Sequence, residues 1–382
     1  MKILITSDTY ENQICGVYVS ITTLKDQLIK QGHDVRLLTL SKDHKSKIVN
    51  NDYYIGSFSL YRIDFRQSIK FNDKIIDEIV SWNPDLIHVQ TEWFCGKISK
   101  KISKKTNCPY INTCHTSWED FTSGLIPTKI LRRIISKRIV KKCYNESYGI
   151  IAPSEKMISY LKKININLPT YIIPTGIDLE RFNQKLSPEK ENKLKSELNL
   201  NDNSKILVYL GRIAKEKNIE ELIEFLPDLI LKDKDIILLI CGEGPDLNHL
   251  KNKITKMGMQ KHVRLTGVIQ PKETYKYYKL GKIFVSASTC ETQGITYIEA
   301  LASSLPIVCR YDESLDDIIE NGYNGFTYTN KQEYIDHILK ILNMDDEYSI
   351  LKDNALKTSQ KFSKETFGKD IESVYLNTLN NL

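Results

Sequence analysis

The sequence predicts an α/β protein made of two doubly wound domains, each with a parallel sheet, that face each other across a cleft. Short runs rich in β-branched residues alternate with segments of helical periodicity along the chain. The length of 382 residues exceeds what one hydrophobic core supports. The series of strands restarts near residue 205, after a turn-rich segment. We therefore expect one domain over residues 1–176 and another over 177–364, with a helix over about 365–382 that packs back on the first.

The first domain opens with a strand, a helix and a second strand within about forty residues, which predicts a parallel βαβ unit. The helix carries Val17, Ile21, Leu24 and Leu28 at helical spacing and stops at Gly32. The predicted elements of this domain are the strands KILITS, DVRLLTL, LIHVQ, YINTCH, GIIAPS and TYIIPTG, and helices over 17–31, 71–81, 96–105 and 128–145.

The second domain repeats this alternation after the turn-rich segment IPTGID. A helix is expected after Asn218, and helical or turn segments separate the later strands. The predicted strands are KILVYLG, DIILLICG, HVRLTGV, KIFVSAS and LPIVCR.

Composition and charge exclude several classes of protein. With 41% hydrophobic and 27% charged residues, the chain is typical of a globular protein and shows no disorder signature. No apolar run reaches the ~18 residues that span a bilayer, and no zinc-ligand spacing occurs among the eight cysteines, so we expect a cytosolic protein with reduced thiols. Between Lys97 and Lys142, twelve lysines and arginines stand against two acids, which indicates an anionic partner.

Two carboxylates flank a glycine turn in the segment from Glu291 to Glu299. Backbone N–H groups at a helix start suit phosphate or hexose oxygens, Glu291 could bind sugar hydroxyls, and Glu299 could reach a ribose diol. The alternative is that Thr296 and Glu299 form a capping box and that Glu291 is solvated.

The segment from Gly211 to Asn218 follows a strand with basic residues and then a helix. Ligands of open α/β sheets bind at the carboxyl ends of strands, and a guanidinium beside an ammonium stabilises a departing diphosphate. Arg212 and Lys217 are therefore candidate diphosphate ligands. The alternative is a solvated surface loop.

Two positions in the first domain are weaker candidates. Gly16 ends the loop after the first strand, where glycine permits close approach of a phosphate. His115 ends a strand and could bind a sugar hydroxyl or the departing phosphate, or could be a structural histidine. The fingerprint GxGxxG is absent from the first loop, which argues against an NAD enzyme.

Taken together, these segments resemble glycosyltransferase family 4, whose members are retaining enzymes with the GT-B fold that use sugar nucleotides. The resemblance spans nearly the whole chain. It depends on the order and spacing of Gly16, His115-Thr116, Pro-Thr-Gly-Ile-Asp at 174–178, Gly-Arg-x4-Lys at 211–217, Gly-x-Gly-Pro at 242–245 and Glu-x7-Glu at 291–299.

The resemblance implies a role for each matching residue. Arg212 and Lys217 would bind the diphosphate, Glu291 the hexose, Glu299 the ribose, and Gly16 would lie beside the distal phosphate. His115 would lie at the acceptor face of the donor sugar. The family commonly has a glycine where this chain has Cys15. The implied catalytic residues are His115, Arg212, Lys217 and Glu291, and the implied donor-binding residues are Gly16, Arg212, Lys217, Val268, Ile269, Glu291, Thr292, Gly294, Ile295 and Glu299.

Within the family, the segment from Glu291 to Ala302 and the Trp-Glu-Asp-Phe after His115 are most similar to bacterial 1,2-diacylglycerol 3-alpha-glucosyltransferases. This similarity implies a UDP-sugar donor, UDP-glucose, and a diacylglycerol acceptor, with the enzyme cytoplasmic and peripheral on the inner face of the cell membrane. No cofactor is expected beyond the donor substrate. No metal is assigned either, because Asp233-Lys-Asp235 precedes a strand and is expected to form a turn.

The predicted helix near Ile126 to Tyr144 combines an apolar stripe with many basic residues. A basic amphipathic helix is typical of proteins that bind an anionic membrane surface. The alternative is that the stripe packs on the sheet and the basic face is solvated, and both can hold. The candidate membrane-binding residues are Lys129, Arg132, Arg133, Lys137, Arg138, Lys141 and Lys142.

Two other enzyme functions stay open from the sequence. One is a family 4 transferase acting on a saccharide or lipid-linked oligosaccharide in capsule or envelope synthesis. The other is a GT-B nucleotide-sugar 2-epimerase, which would need no acceptor. We expect no nucleic-acid partner, because aromatic residues are not interleaved with the basic runs.

Overall fold

The computed structural model describes residues 1–10, 13, 15–59, 66–121 and 128–381, without the side chains of residues 120, 121 and 129. The chain divides into two compact units. The first contains Met1–Gly176 and the segment that begins at Lys364, and the second contains Ile177–Ser363.

The first unit contains an eight-stranded sheet that is parallel except at one edge. Its strands are β1 (Lys2–Tyr10), β2 (Asp34–Leu40), β3 (Lys47–Val49), β4 (Asp52–Ile55), β7 (Leu86–Val89), β8 (Tyr110–Thr113), β9 (Ile150–Ala152) and β10 (Thr170–Ile172); β5 (Phe58–Ser59) and β6 (Arg66–Gln67) form a separate hairpin. The order across the sheet is β10-β9-β8-β7-β1-β2-β4-β3.

Helices cover both faces of this sheet because successive strand residues point to opposite sides. Leu4 packs with Ile79 and Ile98 on one face, whereas Ile3 and Ile5 pack against the helix that follows β1 on the other. The helices before the connection to the second unit are α1 (Gly16–Lys30), α2 (Lys74–Trp82), α3 (Phe94–Thr106), α4 (Trp118–Phe121), α5 (Lys129–Tyr144) and α6 (Glu155–Lys163).

The second unit contains a six-stranded, fully parallel sheet. Its strands are β11 (Lys205–Leu210), β12 (Ile236–Cys241), β13 (Val263–Leu265), β14 (Ile283–Ser286), β15 (Ile307–Arg310) and β16 (Gly325–Tyr328). The order β13-β12-β11-β14-β15-β16 is that of a Rossmann-like sheet, with its topological switch point between β11 and β14. Its helices are α7 (Leu179–Asn183), α8 (Pro188–Glu197), α9 (Ile219–Lys232), α10 (Leu247–Lys256), α11 (Thr274–Leu280), α12 (Ile295–Ala302), α13 (Lys331–Leu342) and α14 (Asp346–Ser359).

The last helix, α15 (Lys364–Asn380), belongs to the first unit. Phe367, Ile371 and Tyr375 are buried in the core that β1 and α1 share. The Tyr375 hydroxyl lies 2.6 Å from His88 Nδ1, so a polar contact accompanies this apolar packing.

The predicted α/β class and the alternation of helices and strands are confirmed. The helix expected over 71–81 starts later, at Lys74, because Asp73 is its N-cap and accepts a hydrogen bond from the Ile75 N–H. The strands β3 to β6 and β16 were not predicted. Within the described ranges, no helix is long and apolar enough to cross a membrane.

Candidate functional site

The loops after β11 and β14 meet at the switch point of the second unit. Lys217, in the first of these loops, donates to Glu291, in the second, with 2.7 Å between Nζ and Oε1. Both side chains are largely buried, at 22% and 14% exposure. Glu291 is therefore not simply solvated, and the sheet brings two predicted site residues into contact.

Glycines let the loops after β11 and β12 pack closely at this edge of the sheet. A Cβ on Gly242 would lie 2.0 Å from the Gly211 carbonyl oxygen, and a Cβ on Gly244 would lie 2.1 Å from the Ile213 oxygen. Ile213 in turn donates its N–H to the Glu243 oxygen at 2.9 Å. Residues with a Cβ at these positions would push the loop that carries Arg212 out of place.

Arg212 begins the loop after β11 and keeps an exposed side chain. Its guanidinium forms an ion pair with Glu216, four residues later, and its carbonyl accepts from the Tyr209 hydroxyl at 3.1 Å. The carboxylate partner neutralises the guanidinium while leaving it at the surface of the loop. Arg212 and Lys217 therefore share one loop but have different carboxylate partners.

The helix α12 begins after a glycine in the left-handed conformation. Gly294 is its N-cap residue, with φ +77°, and Thr292 precedes it. A Cβ on Gly294 would lie 2.9 Å from side-chain atoms of Leu315 and Tyr297. Because Thr296 lies inside the helix and not at its N-cap, the capping-box alternative is wrong. Ile295 and the next backbone N–H groups form the amino end of the helix, directly after the Glu291 loop.

Glu299 lies one turn into α12 and is buried. The Tyr278 hydroxyl donates to its Oε2 at 2.9 Å, and Arg181 Nη2 lies 3.8 Å from its Oε1. Burial raises the pKa of Glu299 to about 7, against the opposing effects of the Arg181 charge and the Tyr278 hydrogen bond. The carboxyl group is therefore balanced between its two protonation states near neutral pH.

Val268 and Ile269 follow β13, two strands away from β11. The preceding Gly267 accepts the Gly242 N–H at 3.1 Å, which attaches this segment to the glycine loops. Val268 is 53% exposed, whereas Ile269 packs against a core that includes Tyr278 and Ile298. The pair thus presents an exposed apolar side chain at the same edge of the sheet.

The first unit places Gly16 and His115 after strands of its own sheet. Gly16 is exposed and is the first residue of α1, whose first turn contains no acidic residue. His115 follows β8, and its Nε2 lies 2.7 Å from the Gln90 Oε1. Burial lowers the pKa of His115 to about 4, so its ring is neutral near pH 7.

Three buried polar residues of the first unit were not predicted from the sequence. Asp8 lies within β1, and Gln90 and Glu92 follow β7. Burial raises the pKa of Glu92 to about 7, and the Tyr144 hydroxyl donates to its Oε1 at 2.7 Å. Each is a polar residue within or just after an apolar strand, which was the only available signal.

The basic helix α5 differs along its length. Ile130, Leu131 and Ile134 are exposed at 77%, 47% and 45%, whereas Val140 and Tyr144 are fully buried. The packing interpretation is confirmed for the carboxyl-terminal half, whereas the amino-terminal half keeps an exposed apolar stripe. Binding of this stripe to a membrane stays a prediction. Arg132, Lys137 and Lys141 are half-buried, Arg133, Arg138 and Lys142 are exposed, and the side chain of Lys129 lies outside the described residues.

The Asp233-Lys-Asp235 segment lies at the opposite edge of the second sheet, before β12. The Asp235 N–H donates to Asp233 Oδ1 at 3.0 Å, and Lys205 donates to Asp233 Oδ2 at 2.6 Å. This is the predicted turn, and it is remote from the carboxyl ends of the strands. That the site uses no metal stays a prediction.

Comparisons with known proteins agree with this geometry. Residues 14–181 match the family model Glycosyltransferase Family 4, and residues 190–358 match Glycosyl transferases group 1. The chain is 32% identical to the alpha-monoglucosyldiacylglycerol synthase of Streptococcus pneumoniae, over 99% of this chain and 86% of that protein. It is 30% identical to the enzyme of the same name from Acholeplasma laidlawii, over 99% and 98%. The crystal structure of Anabaena HepE with UDP and glucose superposes with a TM-score of 0.78 at 16% identity, over 99% of this chain and 100% of that chain.

Proposed function

Because this chain belongs to the family 4 glycosyltransferases, enzymes of the GT-B fold with two Rossmann-like domains, we propose that it transfers glucose from UDP-glucose to 1,2-diacylglycerol with retention. The observation that carries the proposal is similarity over the full chain to two synthases whose names state a monoglucosyl diacylglycerol product. These matches extend across both units. Both units of this chain therefore have counterparts in the two relatives.

The switch point of the second unit supports the donor assignment. Ligands of doubly wound sheets bind where the strand order reverses, and Arg212, Lys217 and Glu291 lie on the two loops at that point. Arg212 and Lys217 bind the diphosphate, and Glu291 binds hexose hydroxyls. Glu299 accepts from the ribose diol, Val268 and Ile269 contact the base, and Thr292, Gly294 and Ile295 present backbone N–H groups at the start of α12.

In the proposed reaction, the acceptor hydroxyl attacks the anomeric carbon from the face that UDP leaves. The bond to UDP breaks, and the leaving phosphate takes the acceptor proton. Arg212 and Lys217 stabilise the charge that grows on the diphosphate. In the first unit, Gly16 lies beside the distal phosphate and His115 binds the hexose. No protein carboxylate serves as a covalent nucleophile.

The exposed, amino-terminal half of α5 supports binding to the inner face of the cell membrane. Exposed Ile130, Leu131 and Ile134 share a helix with three exposed and three half-buried arginines and lysines. Apolar side chains enter the headgroup region, and each nearby cation contributes about 1 kcal/mol on an anionic surface. Lys100 of α3 donates to the Lys142 carbonyl at 2.6 Å, so the basic residues of α3 adjoin α5. The proposed location is therefore cytoplasmic and peripheral.

Transfer from radiolabelled UDP-glucose tests donor and acceptor together. We compare three reactions, which contain diacylglycerol in vesicles, a soluble saccharide, or no added acceptor. We expect label in a lipid product only with diacylglycerol. Label in the saccharide would instead support a transferase of capsule or envelope polysaccharide synthesis. Conversion of the UDP-sugar to an isomer in the absence of any acceptor would indicate an epimerase.

A further inference from the structure

We propose that Gln90 is a positioning residue that fixes the ring of His115 so that its Nδ1 accepts a hydrogen bond from a substrate hydroxyl. The inference rests on the proposed role of His115 in the transfer reaction. It adds a residue that touches neither the donor nor the reacting atoms and that acts through the histidine alone.

Strand register places the two residues together. β7 and β8 are parallel neighbours, with Val89 opposite Asn112, so the residues that follow them emerge side by side. Gln90 is 2% exposed, and its Oε1 lies 2.7 Å from His115 Nε2. A buried amide in direct contact with the ring restricts rotation of the imidazole.

The loop that carries Gln90 is itself held in place. The Gln90 N–H donates to the Thr6 oxygen at 2.8 Å. Asp8 accepts from the Thr91 hydroxyl at 2.6 Å and from the Trp93 N–H at 3.1 Å. Because buried hydrogen bonds in a network make a loop rigid, the amide of Gln90 is held in one position beside the ring of His115.

The loop is also attached to the basic helix. The Tyr144 hydroxyl donates to Glu92 Oε1 at 2.7 Å, and the Cys143 thiol donates to the Glu92 carbonyl at 2.8 Å. The C-terminal turn of α5 thus provides further contacts to the loop, besides those of Asp8. These contacts restrict the movement of Gln90, so its amide does not shift when the ring of His115 rotates.

The chemistry of the pair determines which nitrogen of His115 binds. A neutral imidazole donates from one nitrogen and accepts at the other. The amide oxygen of Gln90 accepts from Nε2–H, so the lone pair remains on Nδ1. A hydroxyl group of the hexose or of the acceptor can donate to that lone pair, and a protonated ring could not accept it.

A second histidine in the same unit shows what a purely structural role looks like. His88 is 1% exposed and uses both nitrogens, with Nδ1 2.6 Å from the Tyr375 hydroxyl and Nε2 2.7 Å from Thr113 Oγ1. Within the described part of the chain, His115 uses only Nε2. Nδ1 of His115 is therefore available to accept a hydrogen bond from a ligand, as expected for a functional histidine.

The test is a double-mutant cycle of Gln90→Leu and His115→Ala, measured as kcat/KM for glucosyl transfer. Groups that orient a functional histidine contribute about 10- to 100-fold in metal sites, and we expect Gln90→Leu to fall in that range. The double variant should be no worse than His115→Ala. If the losses of kcat/KM in the two single variants multiply in the double variant, the proposal is overturned. A fully active His115→Ala variant would overturn the role of His115 as well. Gln27→Leu removes another buried glutamine, 5% exposed, and is the matched control.

A pH profile separates positioning from packing. In Gln90→Glu, a carboxylate beside the ring stabilises the imidazolium and raises the pKa of His115 above its native value of about 4. Activity should therefore be lost as pH falls through the raised pKa and return towards the wild-type value at higher pH. An unchanged acid limb in a folded Gln90→Glu variant would contradict the proposal. Histidine ¹⁵N spectra should show the Nε2–H tautomer of His115 in the wild type and lose it in Gln90→Leu.

Discussion

At the scale of single residues, both candidate diphosphate ligands of the second unit have a carboxylate partner within the protein. Lys217 contacts Glu291, and Arg212 contacts Glu216. An unpaired charge at the largely buried Lys217 would be costly, so Glu291 stabilises it, whereas the exposed Arg212 gains less from Glu216. The donor diphosphate is expected to replace these carboxylates, which leaves Glu291 available to sugar hydroxyls.

Replacing Arg212 by alanine should lower kcat about 100- to 1000-fold, because a fixed donor to developing charge contributes about that factor. Steady-state transfer to diacylglycerol measures the loss. Lys215→Ala is the matched control, since it removes one positive charge from the same loop at an exposed position. Similar activity in the two variants would remove Arg212 from the site.

The affinity for UDP should weaken as pH falls through about 7, because the pKa of buried Glu299 is about 7 and only its carboxylate accepts both ribose hydroxyls. Titration calorimetry between about pH 6 and pH 8 measures the effect. Glu299→Gln should bind weakly at every pH. Tyr278→Phe removes a hydrogen bond that lowers this pKa, so its midpoint should move to higher pH. A wild-type affinity that is constant with pH would contradict the ribose assignment.

At the scale of elements, the two halves of α5 differ, because one is packed in the core and the other is exposed at the surface. Its carboxyl-terminal half packs Val140 and Tyr144 into the first unit, and its amino-terminal half exposes isoleucine, leucine and basic side chains. The apolar residues of a single helix therefore serve both a protein core and an exposed surface. Only the exposed half is available to a bilayer.

Changing Arg132, Arg133, Lys137 and Arg138 together to glutamine should lower binding to anionic vesicles by at least tenfold. Each charge contributes about 1 kcal/mol near such a surface, so four together exceed one decade of affinity. Vesicle flotation measures binding, and a fourfold lysine-to-glutamine variant in the second unit, at Lys232, Lys234, Lys256 and Lys261, is the control. Equal binding by both variants would show that α5 is not the membrane contact.

The order of helices and strands could be predicted because apolar periodicity records which side of an element is buried. The strands β3 to β6 and β16 were missed, because each covers only two to four residues, whereas the equally short β9 and β10 were marked by the adjacent isoleucines in GIIAPS and TYIIPTG. Glu299 and Glu291 were found from their spacing around Gly294. Gln90 was missed because only the register of β7 and β8 brings it to His115, and a lone glutamine after a strand has no sequence signature.

At the scale of the whole molecule, the chain leaves the first unit at Gly176 and returns to it at Lys364. α15 then packs on α1, where a Cβ on Gly368 would lie 2.6 Å from the Gln27 Cβ. His33 Nε2 also lies 2.7 Å from Glu372 Oε1. The first unit therefore depends on a segment that follows the entire second unit in sequence.

Gly368→Val should lower the melting temperature by several degrees, because the added atoms meet the backbone-proximal part of Gln27 and overpacking costs about 1 to 3 kcal/mol. Differential scanning calorimetry measures the shift. Lys369→Val introduces the same side chain at the next, exposed position of α15 and should have a small effect. Equal shifts would mean that helix propensity, not packing on α1, limits stability.

The central claim is retaining transfer of glucose from UDP-glucose to diacylglycerol, and the most direct test is the structure of the product. Purified protein is incubated with UDP-glucose and diacylglycerol vesicles, and the glycolipid is isolated for proton NMR. The account predicts one glucose in α linkage to the diacylglycerol hydroxyl. A β-linked glucosyl lipid, or the absence of any glucosyl lipid despite UDP release, would contradict it.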